Sequence, residues 1–151
     1  MKILHLKNVN GLTYLLKMKK TLIGVCYRAP LTSAQENEGL IELIIKASNE
    51  ITLVLGNFNL PGIKWKSNEA SGNEETFLEC MQDSFFTQHV LLPARGDNIL
   101  DLVMSNEEGL VENVTVGEPF GTSDHCVIKW NLVIKRLEIR TVTELPLLIL
   151  M

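Results

Sequence analysis

The sequence predicts an α/β or α+β domain whose sheet is largely covered by helices. Three observations carry this. Short β-branched apolar runs, Thr21 to Tyr27 and Ile51 to Leu55, alternate with stretches of helical period. The order reads strand, helix, strand, helix, then four strand-like pieces. The chain has 151 residues, 46% hydrophobic and 21% charged, which suits one folded domain rather than a disordered tail, a fibre or a disulfide-dense miniprotein. A chain of this length can bury roughly two-thirds of its unfolded surface.

Residues 1–20 mix apolar positions and lysines without a stable period and predict no element. Thr21 to Tyr27 (TLIGVCY) predicts a buried strand, ended by Arg28-Ala29-Pro30 because proline cannot donate to a ladder. Ser33 followed by Glu36 is a capping box, opening a helix to about Asn49. Leu40, Ile44 and Ala47 fall on one face of it, with Ile41 and Ile45 beside them. Ile51 to Leu55 predicts a second buried strand, stopping at Gly56-Asn57-Phe58-Asn59 and then Pro61-Gly62. Ser71 and Glu74 predict another capping box, for a helix ending near Phe86 that carries Phe77, Cys80, Met81 and Phe85. Four strand-like pieces follow: Gln88 to Leu91, Ile99 to Met104, Val111 to Val116 and His125 to Ile134. In the last, Ile128, Trp130, Leu132 and Ile134 alternate with Lys129, Asn131 and Val133, the pattern of a strand with one wetter face. The expected division is an unassigned segment over 1–20, a domain over 21–134 and a tail over 135–151.

The formal net charge is −4, so a dedicated basic DNA-coating protein is not expected. The charge is segregated: residues 1–30 hold six basic side chains and no acidic one, while residues 31–128 hold four basic and sixteen acidic. Segregation of this kind can mark a nucleic-acid face, and is more often only a solvated surface. Three cysteines, Cys26, Cys80 and Cys126, lie far apart without a CxxC, so neither a zinc site nor a disulfide framework follows. Cys26 and Cys126 sit in apolar runs, as small buried thiols do. No apolar run reaches the roughly 18 residues of a membrane span. No signal peptide is read either, so the expected location is intracellular, nuclear or cytoplasmic, with Asn113-Val114-Thr115 a chance sequon.

Three segments place polar residues at strand ends: Gly56 to Asn59, Asn98 to Asp101, and Ser123-Asp124-His125. Asp101 lies inside the apolar run ILDLVM, where a carboxylate must be paired or hydrogen-bonded. Asp124 beside His125 could orient or tune the imidazole. Each segment also has a plain structural reading. Asn57 to Asn59 fits an Asx turn, Asp101 an edge position facing solvent, and Ser-Asp-His a strand-entry turn.

Together, and in this order, the segments resemble the endonuclease/exonuclease/phosphatase superfamily. GNFN is similar to its GDFN box, Ser123-Asp124-His125 to its SDH box, and Asp101 stands where it has an aspartate between them. The likeness is greatest to the endonuclease domain of LINE-type non-LTR retrotransposons, where a YRPP segment takes the place of Tyr27-Arg28-Ala29-Pro30. It spans roughly residues 21–134 and includes FLECMQDSFFTQHV, GDNILDLVMSNEEGLVENV and GTSDHCVIKWNL.

The resemblance implies a partial four-layer αββα sandwich, two mixed sheets flanked by helices, and Mg²⁺-dependent cleavage of a DNA phosphodiester. It implies that His125 acts beside the scissile phosphate, with Asp124 as its carboxylate partner and a weak metal contact. It implies that Asn59, Tyr27 and Ser123 bind the phosphate and that Asp101 orients the network. Metal, donors and a tuned histidine suit a transition state that gains charge.

Two departures qualify this. Asn57 stands where the family has the aspartate of GDFN, and an amide neither accepts a proton nor carries charge for a metal. The family's metal-binding glutamate lies on opening strands, whereas residues 1–26 contain no acidic residue. The resemblance therefore predicts a truncated endonuclease domain, lacking the opening strands, with exposed sheet edges, a loosely held first twenty residues and impaired activity. DNA is the partner it implies, and no membrane. The other class of function is a non-catalytic nucleic-acid or protein interaction module.

Overall fold

The computed structural model of the chain describes residues 2–8, 11–18, 21–94 and 96–133. Eight strands and two helices follow in the order β1 (Lys2–Asn8), β2 (Gly11–Met18), β3 (Thr21–Tyr27), α1 (Ala34–Ala47), β4 (Ile51–Asn57), α2 (Asn73–Asp83), β5 (Thr87–Gln88), β6 (Asp101–Ser105), β7 (Val111–Pro119) and β8 (Cys126–Leu132). They form a six-stranded mixed sheet, ordered β1-β2-β3-β4-β6-β5, and a two-stranded sheet of β7 and β8. The architecture is α+β.

Strands β3 and β4 pair in parallel, joined through α1, in a register that sets Tyr27 opposite Asn57. Strand β6 runs antiparallel to β4 and sets Asp101 opposite Asn57. Along β4 and β6 the side chains alternate between two cores. Val54, Leu102 and Met104 face α1 and α2, packing with Leu40, Ile44, Phe77 and Met81. Leu53, Leu55 and Val103 face β7 and β8, packing with Val111, Ile128, Trp130 and Leu132. Helices cover one face of the large sheet and the small sheet covers the other, so β4 is buried on both faces from Thr52 to Asn57. That is why its sequence is a continuous apolar run rather than an alternating one.

The expected strand over 21–27 is present with the same ends, and those over 51–55, 99–104, 111–116 and 125–134 with shifted ends, although Ile134 and the tail over 135–151 lie outside the described residues. The stretch around Gln88 contributes only two residues of strand, at the sheet edge.

Residues 1–20 depart from expectation. They contribute two strands: β1 pairs with β2 from Lys2↔Lys17 to Asn8↔Gly11, and β2 pairs with β3 from Thr13↔Cys26 to Met18↔Thr21. The edge of β3 that was expected to be open is therefore occupied. Strands β1, β2 and β3 are consecutive and antiparallel, and what holds them is pairing with a neighbour, which the period of a single strand does not report.

Helix α1 begins at the capping box as read: the Glu36 amide donates to Ser33 Oγ at 3.3 Å and the Ser33 amide donates to Glu36 Oε2 at 2.9 Å. Helix α2 does not. Its N-cap is Gly72, at φ 62° and ψ −134°, without a side-chain cap bond. The left-handed glycine moves the helix start one residue past Ser71, so Glu74 no longer sits three residues after the cap, and its carboxylate lies against Gly62 instead. The same helix stops at Asp83 rather than Phe86. Phe85 turns left-handed at φ 58°, its amide donates to Gln82 O at 3.0 Å and the Phe86 amide to Met81 O at 2.8 Å. That is a Schellman closure with phenylalanine where glycine is usual.

Candidate functional site

The register of the large sheet brings the site together. Strands β3 and β4 end side by side, at Tyr27 and Asn57, where β6 begins with Asp101. Strand β8 starts nearby: the Cys126 amide donates to Ala94 O at 2.8 Å, and His125 is the residue before it. Gly56 makes the close approach possible. It holds φ 137°, and a methyl group there would run into the Cys26 carbonyl of β3. Only glycine carries that conformation readily.

Asp101 is the hub. It is 6% exposed, and both of its oxygens are engaged. Oδ1 accepts from Asn57 Nδ2 at 2.9 Å, and Oδ2 lies 3.0 Å from His125 Nδ1. A carboxylate oxygen can only accept here, so Nδ1 carries the hydrogen, and in the neutral ring the lone pair falls on Nε2. Nε2 lies 3.8 Å from Oδ1 of the exposed Asp124. The His125 amide donates to Ser123 Oγ at 3.1 Å, closing the Ser-Asp-His turn. A cleft lined by Gly56, Asp101, His125 and Cys126 lies at the hub, and its volume of about 20 Å³ holds about one water.

Asn57 is 2% exposed. Its amide serves Asp101, while its Oδ1 is buried without a hydrogen-bond partner among the described residues. The asparagine cannot be turned over, because that would press two oxygens together.

The structure thus joins Asn57, Asp101 and His125 directly, with Asp124 and Ser123 beside the histidine. Tyr27 stands level with Asn57 across the parallel pair and is 43% exposed. Asn59 lies two residues beyond Asn57, and its side chain turns elsewhere: Nδ2 donates to Arg28 O at 2.7 Å. Arg28 is the neighbour that motif reading passed over. Its place between a strand end and a proline, beside a turn rich in asparagine, was the available signal. Burial lowers the pKa of its guanidinium, opposed by the nearby Glu74.

Mg²⁺ takes oxygen ligands and is usually bound through one or two carboxylates with waters and substrate phosphates. Here both Asp101 oxygens are taken, Asn57 offers only a neutral carbonyl, and Asp124 stands at the surface. Among the described residues no three of His, Cys, Asp or Glu gather where they could hold a metal. The residues present do not fit a Mg²⁺ site. The three cysteines are free thiols, Cys26 and Cys80 buried and Cys126 half-buried. A larger cavity of about 310 Å³ opens between α2 and the 64–69 loop, lined by Trp65, Met81, Phe86 and Leu91 among others, and no predicted site residue reaches it. Among the described residues no helix is long and apolar enough to cross a membrane.

The fold has solved relatives. The endonuclease domain of TRAS1, a telomere-specific non-LTR retrotransposon, superposes with a TM-score of 0.60 at 14% identity, over 87% of this chain and 66% of that one. The 3′ phosphatase NExo from Neisseria, bound to product DNA hairpin, gives 0.57 at 14% identity, over 77% of this chain and 62% of that one. The cytolethal distending toxin of Haemophilus ducreyi gives 0.54 at 17% identity, over 85% and 56%. The chain therefore spans between 56% and 66% of the length of these structures, and the likeness is one of fold. No curated protein matches it. The profile of the endonuclease-reverse transcriptase family matches residues 21–129, most of the large sheet with both helices and nearly all of the small sheet, and the chain belongs to that family.

Proposed function

We propose that this chain is a retrotransposon-derived endonuclease-like domain, ancestrally a Mg²⁺-dependent DNA phosphodiesterase, in which cleavage is impaired and contact with DNA outlasts it. The observation that carries this is the Asn57–Asp101–His125 chain, buried at Asn57 and Asp101 and half-buried at the histidine. Asp101 fixes the imidazole tautomer so that Nε2 can take or give a proton at a substrate oxygen. That half of a phosphodiesterase supports the endonuclease ancestry. Asn57 supports the impairment: an amide in that place neither positions a nucleophile as a base nor adds charge for a cation. Asn59, Tyr27 and Ser123 are proposed to meet the DNA backbone around the histidine.

Phosphoryl transfer depends on charge stabilisation and on a group that positions the attacking oxygen. Loss of one such group costs on the order of 10²–10⁴-fold in rate, and losses within one site need not add. The test is plasmid nicking across Mg²⁺ concentrations by the unchanged chain, Asn57→Asp and His125→Ala. Expected are trace nicking by the unchanged chain, none by His125→Ala, and a gain in Asn57→Asp. Nicking by the unchanged chain at the rate of an intact family member, abolished in His125→Ala, would overturn the impairment. No nicking by any variant, with duplex DNA still bound, would leave the interaction-module reading in its place.

A further inference from the structure

The turn after β4 is held from outside its own backbone. Among the described residues, the carbonyls of Phe58 and Asn59 accept from no backbone amide. Both accept from one side chain, Arg28, whose Nη1 donates to Phe58 O at 3.2 Å and to Asn59 O at 3.0 Å. The Nε of the same guanidinium donates to Asn37 Oδ1 on α1 at 2.7 Å, which sets its plane. The grip is reciprocal. The Arg28 amide donates to Asn57 O at 2.8 Å, and Asn59 Nδ2 donates back to Arg28 O at 2.7 Å.

Asn59 needs such support. It holds φ 48°, in the left-handed region, which asparagine tolerates but does not prefer. Within the turn the Phe58 amide is anchored to Leu100 O at 2.8 Å, so the residue before Asn59 is pinned while Asn59 itself depends on Arg28. A planar fork with separate donors on Nε and Nη1 can hold a helix side chain and two turn carbonyls at once. A lysine ammonium is a single point of charge and cannot reproduce that geometry. Glu74 stands near enough to offset the charge of the half-buried guanidinium.

We propose that Arg28 is the positioning residue of this site: its guanidinium clamps the left-handed turn, and Asn59 meets a DNA phosphate only while that clamp is closed. The second half rests on the reading of Asn59 given under the proposed function. Arg28 acts through the turn and does not itself touch the substrate.

The test uses the full chain and five variants, Arg28→Gln, Arg28→Lys, Asn59→Ala, the double variant Arg28→Gln with Asn59→Ala, and Asn37→Ala. Two measurements are made: the Asn59 side-chain amide resonances in nitrogen–proton spectra without DNA, and the affinity for a short DNA duplex in EDTA by fluorescence anisotropy. Arg28→Gln and Arg28→Lys are expected to shift the Asn59 amide resonances and to weaken duplex binding about tenfold, as Asn59→Ala does. The double variant is expected to bind no more weakly than either single one, because both act through one contact. Asn37→Ala lies on a helix surface that tolerates alanine, and it is expected to move the same resonances in the same direction by less. It carries the test if the arginine variants do not fold. Unmoved Asn59 resonances in the folded variants would overturn the clamp. Additive losses, about a hundredfold in the double variant, would overturn it too, and would make Arg28 itself a phosphate contact. Shifted resonances with unchanged duplex affinity would keep the clamp and discard the phosphate role of Asn59.

Discussion

Asn57 donates its side-chain amide to Asp101 across the β4–β6 pair at 2.9 Å and leaves its own carbonyl oxygen buried without a donor. The pair explains how a carboxylate survives inside an apolar strand: one oxygen is held by the amide and the other by His125. It also explains what the asparagine does to the site. It sets a neutral amide against Asp101, so the carboxylate is held by hydrogen bonds from Asn57 and His125.

The first prediction follows from that pair. Asn57→Asp sets two buried carboxylates at hydrogen-bond distance. They cannot both ionise, so the pair keeps a proton and its titration is pushed up. The folded state then binds more protons than the unfolded chain above the ordinary carboxylate pKa, so stability falls as pH rises. The variant is expected to be about 1–3 kcal/mol less stable than the parent at neutral pH, with the gap closing towards pH 4. Urea unfolding at several pH values measures this, and a gap independent of pH would contradict it. Added Mg²⁺ is expected to raise the variant's Tm and leave the parent's unmoved.

The second prediction separates two caps that look alike in sequence. Ser33 accepts from the Glu36 amide in a formed capping box, whereas Ser71 lies outside a helix capped by Gly72 without a side-chain bond. Ser33→Ala is expected to cost about 1 kcal/mol. Ser71→Ala is expected to stay within about 0.5 kcal/mol of the parent. Equal losses in chemical denaturation would mean that Ser71 supports the start of α2.

These two helix starts also show which parts of the fold were legible. Ser33 with Glu36 and the apolar spacing of Leu40, Ile44 and Ala47 report a local structure, and α1 is where they put it. Ile128, Trp130 and Leu132 report which side of β8 is buried. The same Ser-x-x-Glu pattern at Ser71 was overruled by one left-handed glycine, a backbone state that a pattern of side chains does not encode. Strands β1 and β2 were invisible because they are held by pairing, β1 with β2 and β2 with β3, which is a matter of register rather than of period. At the site, the meeting of Asn57 with Asp101 was legible only through the motif order. That Asn59 turns towards Arg28 was not legible at all, since the contact joins residues 31 apart through a backbone carbonyl.

A third prediction concerns the end of α2. Phe85 occupies the left-handed position of the Schellman closure at φ 58° with 83% of its surface exposed. Its ring contributes little packing, while its Cβ crowds the carbonyl in that conformation. Phe85→Gly is expected to stabilise the fold by about 0.5–1 kcal/mol, a relief of strain partly offset by the freedom glycine adds to the unfolded chain. A Tm below the parent's would mean that the exposed ring has a packing partner worth more than the strain.

The last prediction concerns His89, which is apart from the site. It follows the two-residue edge strand β5, with its amide donated to Val103 O at 2.8 Å. Its Nε2 pairs with the buried Ser105 Oγ at 2.8 Å. Burial lowers its pKa from the ordinary histidine value, since removing water disfavours the charged ring. The sign follows from linkage. Below about pH 6.5 the unfolded chain takes up a proton that the folded chain resists. The unfolded state then binds more protons, and stability falls as pH falls through that window. Above it His89 is neutral in both states and adds no slope. His89→Gln, which is neutral at every pH, is expected to flatten the acid side of the stability profile between about pH 6.5 and the lowered pKa. The measurement is urea unfolding of the parent and His89→Gln from pH 5 to 8. If the acid-side slope persists in His89→Gln, it arises elsewhere in the chain and the burial of His89 is too shallow to matter.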